Sequence, residues 1–417
     1  MKANLLNLMT IIAVLAGTAV ASAPPTFPKI DRRPAPGKWP WWRTLQASVP
    51  HYDPNSDEPF QVDLRGRCLA GLDLRDSLAD LQHASFADGT MWPPADKMPP
   101  EFDPGRIAEL GKNPGLGVRR LHKKGITGRG IGIAILDQPL LVDHAEYAQR
   151  LRFYEEINIP KNMKAQMHGP AVASIAVGET VGVAPEADLY YIAQFNCDFG
   201  EGTFTWNFEY LAQGLRRILE INEQLPRDRK IRVVSISVGW SPSQKGCQQI
   251  SEAAVKAKAA GMLVICSSVE HVHGFKFQGL GRPPMADPDK ADSFEPGYGW
   301  ADRFYGGSPH GAPGDRLLVP MDSRTTASQA DPDNYVFYRH GGWSWAIPYI
   351  AGTYALAAQV EPEITPDRFW ALAMQTGHTI ELRHEGKTHQ FGPILNPPGL
   401  IDALRHPDRT QAGSPNN

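Results

Sequence analysis

Apolar residues in this chain fall in short unbroken runs. Ile131-Gly132-Ile133-Ala134-Ile135-Leu136 is one, closed by Asp137, and Leu189 to Phe195, Ile231 to Val238 and Met262 to Ser267 read the same way. Runs of this length with no polar face predict strands covered on both sides, as in a parallel sheet. Between them, Trp206 to Leu225 and Ile250 to Ala260 read as helices. Repeated strand–helix units predict an α/β fold with a doubly wound, mainly parallel sheet and helices on both faces.

Candidate chemistry sits at the ends of these elements. Asp137 closes a buried strand, at the end where open α/β sheets place their sites. His168 opens a small-residue helix, His168-Gly-Pro-Ala-Val-Ala-Ser174, that ends near Gly178. Gly341-Gly342 delivers Ser344 to a second helix, in which Ala346, Ala351, Gly352, Ala355 and Ala358 leave so little bulk that deep packing is expected. Pro348 is expected in its first turn, where a missing N–H costs nothing. A serine there lies at the positive end of the helix dipole beside free N–H groups, which suits a developing oxyanion. Read singly, each residue has a plainer role: a strand-end cap, a structural histidine, an N-cap. Thr365-Pro366 predicts the start of a further helix running toward Gly377.

Upstream of the sheet, residues 1–21 read as a secretory signal, with Lys2 before an apolar stretch from Leu5 to Val20 and Ala19-Val20-Ala21 as the cleavage site. Residues 22–114 form an N-terminal extension, rich in Pro and Trp to about residue 60 and read there as an arm or linker. Within 61–92, Leu64, Leu69 and Leu74 recur every five residues, which resembles turns of a pentapeptide repeat with stacked leucines; an irregular segment or an amphipathic helix gives the same spacing by chance. Asn113-Pro114-Gly115 is a turn cluster marking the boundary to residues 115–405, after which 406–417 form a tail.

Composition adds exclusions. The 417 residues carry a net charge of −3, well mixed, so nothing suggests a nucleic-acid or anionic-membrane surface. No later apolar run reaches the roughly 18 residues a membrane span needs. A secreted or periplasmic destination opens disulfide formation to Cys68, Cys197, Cys247 and Cys266. Cys197 and Cys247 both follow predicted strands of one sheet and are the expected pair, whereas Cys266 lies within an apolar run and is expected as a buried thiol.

In chain order these segments resemble the subtilisin-like serine peptidases. The passage from Gly125 to Asp137 resembles the family's aspartate motif, with His144 beyond it, although Asp137-Gln138-Pro139 replaces Asp-Thr-Gly. His168 to Ser174 followed by Gly182-Val183-Ala184-Pro185 resembles the histidine motif, and Gly342 to Gly352 the serine motif, with Trp343, Trp345, Ile347 and Tyr349 in place of Thr, Met, Ala and His. Gly311-Ala312-Pro313-Gly314 and Gly399 to Leu404 match further family segments, so that the likeness runs from about 115 to 405.

The resemblance implies an exported serine endopeptidase acting on a peptide or protein substrate, with Ser344 as nucleophile, His168 as base and Asp137 orienting the imidazole. It implies that the backbone of Ser237-Val238-Gly239 pairs with an extended substrate. It implies no required cofactor; many relatives bind structural calcium, but the acidic stretch Asp287 to Glu295 has no recognisable ligand spacing. One departure concerns the oxyanion. Glu270 stands where the family places an asparagine donor, so that either Glu270 is buried beside Val269 and Val272, protonated and donating, or it turns away and His271 or Gln278 takes over. His271-x-His273 on an extended segment offers two imidazoles to a metal, with no third ligand evident. The alternatives to an endopeptidase are a catalytically silent scaffold that binds peptides or a partner protein, and acyl transfer to an amine.

Overall fold

The structure, a computed structural model, describes residues 44–56, 58, 60–200, 203–307 and 314–407. The export signal, residues 22–43 of the arm, Gly311-Ala312-Pro313 and residues 408–417 of the tail lie outside the described residues.

The elements that position the site are, in chain order, β1 (Phe86–Ala87), α1 (Pro104–Lys112), β2 (Gly132–Asp137), β3 (Leu151–Ile157), α2 (His168–Val177), β4 (Asp188–Gln194), β5 (Cys197–Gly200), β6 (Thr203–Trp206), α3 (Glu209–Gln224), β7 (Ile231–Ile236), α4 (Cys247–Ala259), β8 (Leu263–Cys266), α5 (Val269–His273), β9 (Phe277–Gly281), β10 (Leu317–Pro320), β11 (Arg324–Ala327), β12 (Tyr335–Tyr338), α6 (Trp343–Val360), α7 (Pro366–Thr376) and α8 (Pro397–Arg405).

The main sheet is parallel throughout, in the order β8-β7-β2-β4-β3. Strand β2 lies at its centre because Ile133 to Leu136 are buried and need cover on both faces and both edges. Helices α2 and α6 pack together, as do α3 and α4, which covers the two faces of the sheet. Helix α6 is apolar on all sides and buried from Trp345 to Ala358, and a helix of that composition is stable only inside. It lies against β7 and β8 of the main sheet and against β9 and β10 of a second, mixed sheet. The helix that carries Ser344 is therefore the spine of the protein.

The extension is built into this body. Strand β1 pairs antiparallel with β12, Phe86 opposite Phe337. Leu64, Leu69 and Leu74 are all buried in a second core that they share with Phe86, Phe102, Ile107 and Phe337. Their backbone N–H groups donate in succession to the Ser85, Met91 and Lys97 carbonyls, so that the leucine-bearing stretch lies alongside residues 85–97. Helix α1 is capped by Asp103, whose side chain accepts from the Arg106 N–H, and its Ala108 carbonyl receives the Thr325 hydroxyl at 2.7 Å.

Two expectations change. The helix read from Trp206 begins only at Glu209, because Thr203 to Trp206 form β6 of a two-stranded ribbon with β5. All four cysteines are free thiols. The expected partners lie beyond the sheet, Cys197 opening β5 and Cys247 opening α4, and although their segments adjoin through the Lys245–Asp198 contact at 3.0 Å, the two thiols are not joined. Cys266 is buried in β8, where burial pushes its thiol pKa up to about 12, against a smaller opposing hydrogen bond from the Ser268 backbone. No helix among the described residues is long and apolar enough to cross a membrane.

Candidate active site

The site forms at the C-terminal end of the main sheet. Asp137 is the last residue of β2, its side chain 5% exposed. Its Oδ1 accepts the Gln138 N–H at 2.7 Å and faces Nδ1 of His168 at 2.6 Å. An ionised carboxylate only accepts, so Nδ1 carries the proton and Nε2 is left as the basic nitrogen. His168 reaches this position because α2 starts hard against the end of the sheet: at Gly169 a Cβ would collide with the Gln138 carbonyl and the Tyr191 hydroxyl, which are themselves hydrogen-bonded at 2.6 Å. Burial works against the His168 imidazolium, but the charge and hydrogen bond of Asp137 outweigh it, and the pKa is raised above its ordinary value.

Ser344 enters from β12 through the glycine pair. A Cβ at Gly341 would run into the Met321 carbonyl and the Trp345 ring, and Gly342 has φ 70°, so close approach fixes the first glycine and backbone conformation the second. Ser344 is then the second residue of α6, where backbone N–H groups have no carbonyl of their own helix to bond. Pro348 lies inside α6 rather than in its first turn. It leaves the carbonyl four residues back without an amide donor, and that carbonyl belongs to Ser344; the Ser237 hydroxyl occupies it at 3.2 Å. In return the Ser344 hydroxyl donates to the Ser237 carbonyl at 3.4 Å. Trp345 presents its ring edge to His168, centroids 5.5 Å apart.

Ser237 and Val238, just beyond β7, join Asp137 and His168 in lining a cleft of about 230 Å³ whose other wall is the β5–β6 ribbon, with Cys197, Phe204 and Trp206. Gly239 lies behind it against Ser267 and Ser268. Phe204 and Trp206 are 60% and 41% exposed, and their rings meet edge to face at 5.0 Å. Reading Trp206 as helical hid this wall; the alternation of threonine and aromatic residues over Thr203 to Trp206 is the signal that marks a strand there.

Glu270 is placed differently from the buried, protonated acid considered above. It lies on the short helix α5 with its side chain 61% exposed and pairs with Lys276 at 3.6 Å. The helix also separates the two histidines: His271 is exposed, whereas His273 is buried and its Nε2 accepts the Val264 N–H at 3.2 Å. Gln278, by contrast, is buried in β9 beside the segment that carries Ser344. Its Oε1 accepts the Trp343 indole N–H at 2.5 Å and the Gly279 N–H at 3.2 Å, which turns its amide N–H₂ away from both. In the acidic stretch, Asp289 accepts from Asn113 and from the Gly117 N–H, so this loop braces the start of the main domain. Among the described residues no group of three or more His, Cys, Asp or Glu side chains is placed to hold a metal ion.

A parallel α/β sheet with an Asp–His pair at its carboxyl end and a serine at the tip of a buried helix is the arrangement that the subtilisin-like resemblance implies. Residues 128–287 match the model of the subtilase family. The match takes in Asp137 and His168 and stops before Ser344. The chain is 30% identical over 135 residues to the "Subtilisin-like protease PopC" of Myxococcus xanthus (strain DK1622), an alignment covering 30% of this chain and 28% of that protein. Among solved structures it resembles the "Prenylagaramide maturation protease PagA" with a TM-score of 0.46 and 16% identity, over 69% of this chain and 98% of that one.

Proposed function

We propose that this protein is an exported serine endopeptidase that hydrolyses peptide bonds through an acyl-enzyme. The observation that carries this reading is the hydrogen bond between His168 Nδ1 and Asp137 Oδ1, 2.6 Å long at the carboxyl end of the sheet, on the cleft that Ser237 shares and to which Ser344 is tied. Ser344 Oγ attacks the scissile carbonyl carbon as His168 Nε2 takes its proton; the C–N bond breaks as that proton passes to the leaving amine, and water repeats the sequence on the ester. The hydroxyl first turns about χ1 from the Ser237 carbonyl to the imidazole, since hydrogen bonds of this kind commonly tighten only around substrate.

The oxyanion is held by the Ser344 backbone N–H at the start of α6 and by the Gln278 amide, the polar side chain that contacts the residue before the nucleophile. The chemistry needs no cofactor. Phe204 and Trp206 give the cleft an exposed aromatic wall, which favours substrates with a large apolar side chain near the cleaved bond. A serine-directed fluorophosphonate tests the reading: labelling at Ser344 is expected, and a purified protein that stays unlabelled across pH 5 to 9 is not a serine hydrolase.

A further inference from the structure

Asp322 belongs to no motif, yet it is almost fully buried between the second sheet and the turn that delivers Ser344, 2% exposed. Its Oδ1 accepts the Gly341 N–H at 2.8 Å and its Oδ2 the Tyr298 N–H at 2.8 Å. The backbone around it is fixed from three sides: Met321 and Asp322 both donate to the Leu280 carbonyl, Ser323 donates to the Arg339 carbonyl, and the Tyr298 ring stacks on His340 at 4.0 Å. A buried carboxylate is costly unless its oxygens are occupied, and here both are occupied by backbone amides, one of them three residues before the nucleophile.

We propose that Asp322 is the positioning residue of the nucleophile loop: by holding the Gly341 and Tyr298 N–H groups at once, its carboxylate sets the glycine turn from which Ser344 and Trp345 enter the site. The inference rests on the reading of Ser344 as nucleophile for its effect on chemistry, but not for its effect on the loop.

The clamp is sensitive to pH. Burial drives the Asp322 carboxyl up to about 6, opposed by the Arg339 charge and by the two amide hydrogen bonds, with Glu295 adding to the rise. Arg339 and Glu295 face one another at 3.9 Å, His340 is held neutral by burial with its pKa down to about 3, and the Arg282 guanidinium binds the next carbonyl, that of Ser323, at 2.9 Å. Protonation turns one acceptor oxygen into an O–H that faces an N–H, and one of the two amides is released. The sign for stability is opposite. A carboxyl raised from 3.8 to about 6 takes up its proton in the folded state first, so acidification through this window stabilises the fold while it loosens the loop.

The test is amide hydrogen exchange on the intact protein, corrected for intrinsic pH dependence, alongside fluorophosphonate labelling. In the parent, exchange of the peptide spanning residues 339–345 should quicken below about pH 6 while peptides of the main sheet do not. Asp322→Ala should quicken it at every pH and Asp322→Asn, which keeps one acceptor, by less. The labelling rate should fall by roughly 10²-fold in Asp322→Ala, the cost of a small misplacement. Its logarithm should fall with slope one between the His168 and Asp322 values and more steeply just below about pH 6 in the parent, by no more in total than the loss in Asp322→Ala, but with slope one throughout in Asp322→Asn. Exchange of 339–345 unchanged in both variants overturns the clamp. Faster exchange of the whole main sheet in both overturns it too, because Asp322 is then a general support of the fold. A parent that never labels defeats the peptidase reading and leaves the exchange result to decide the clamp.

Discussion

Ser237 and Ser344 hold each other by a reciprocal pair of hydrogen bonds: the Ser237 hydroxyl on the Ser344 carbonyl at 3.2 Å, the Ser344 hydroxyl on the Ser237 carbonyl at 3.4 Å. The first bond exists because Pro348 removes the amide that would otherwise claim the Ser344 carbonyl. The strand end beside the cleft is thereby tied to the tip of the spine helix. Ser344→Ala removes only the long, second bond, so it should abolish labelling and peptidase activity with a change in unfolding free energy within about 0.5 kcal/mol. Ser237→Ala strands a carbonyl and should cost about 1 to 2 kcal/mol, with reduced but measurable labelling. Denaturant titration of both variants checks the order.

The pH response of His168 follows from its partner. Its pKa lies above the ordinary 6.5 in the folded protein, so the Asp137–imidazolium pair contributes stability that is complete below pH 6.5 and lost as pH rises through the folded value. Catalysis needs the neutral base, so the labelling rate should climb through that same interval. Asp137→Asn removes the charge and leaves the burial, which moves the limb down in pH while the plateau rate falls. An imidazole titration by NMR that leaves the His168 value unchanged in Asp137→Asn would refute the assignment of the shift.

The two oxyanion candidates are separable by substitution. Glu270 is exposed and paired with Lys276 at 3.6 Å, a contact of the kind worth about 0 to 1 kcal/mol, so Glu270→Ala should leave labelling and its pH profile nearly unchanged. Gln278→Leu removes the amide and frees the Trp343 indole, and the rate should fall by about 10² to 10³, as for loss of an oxyanion donor. Equal rates in the two variants would place the second donor elsewhere.

The extension should unfold with the rest of the chain. Phe86 stacks on Phe337 with centroids 5.0 Å apart and also meets Trp92 and Phe102, so Phe86→Ala should cost about 3 to 5 kcal/mol. One cooperative transition, shifted as a whole, is expected in calorimetry. A separate early transition that leaves labelling intact would mean that the extension is dispensable.

Much of this protein is readable along the chain because its information is local. A strand buried on both faces writes itself as an unbroken run, as in Ile133 to Leu136, and a helix buried all round as an unbroken small apolar stretch, as in Trp345 to Ala358. Thr365 also caps α7 as expected, its hydroxyl accepting the Arg368 N–H. The sequence by itself therefore determined the parallel α/β class, the carboxyl end of β2, the start of α6, and Asp137, His168 and Ser344 as candidates at element ends. What it could not determine depends on partners far away in the chain. Glu270 and Gln278 are both polar residues downstream of β8, and only the folded chain puts one on α5 in solvent and the other within β9 against Trp343. Cys197 and Cys247 open β5 and α4, elements that only the folded chain brings side by side, and both remain free thiols. Asp322 has no pattern of its own; its role arises only where the folded chain brings Gly341 and Tyr298 to its two oxygens, since a hydrogen bond is fixed by position in space and leaves no period in the sequence.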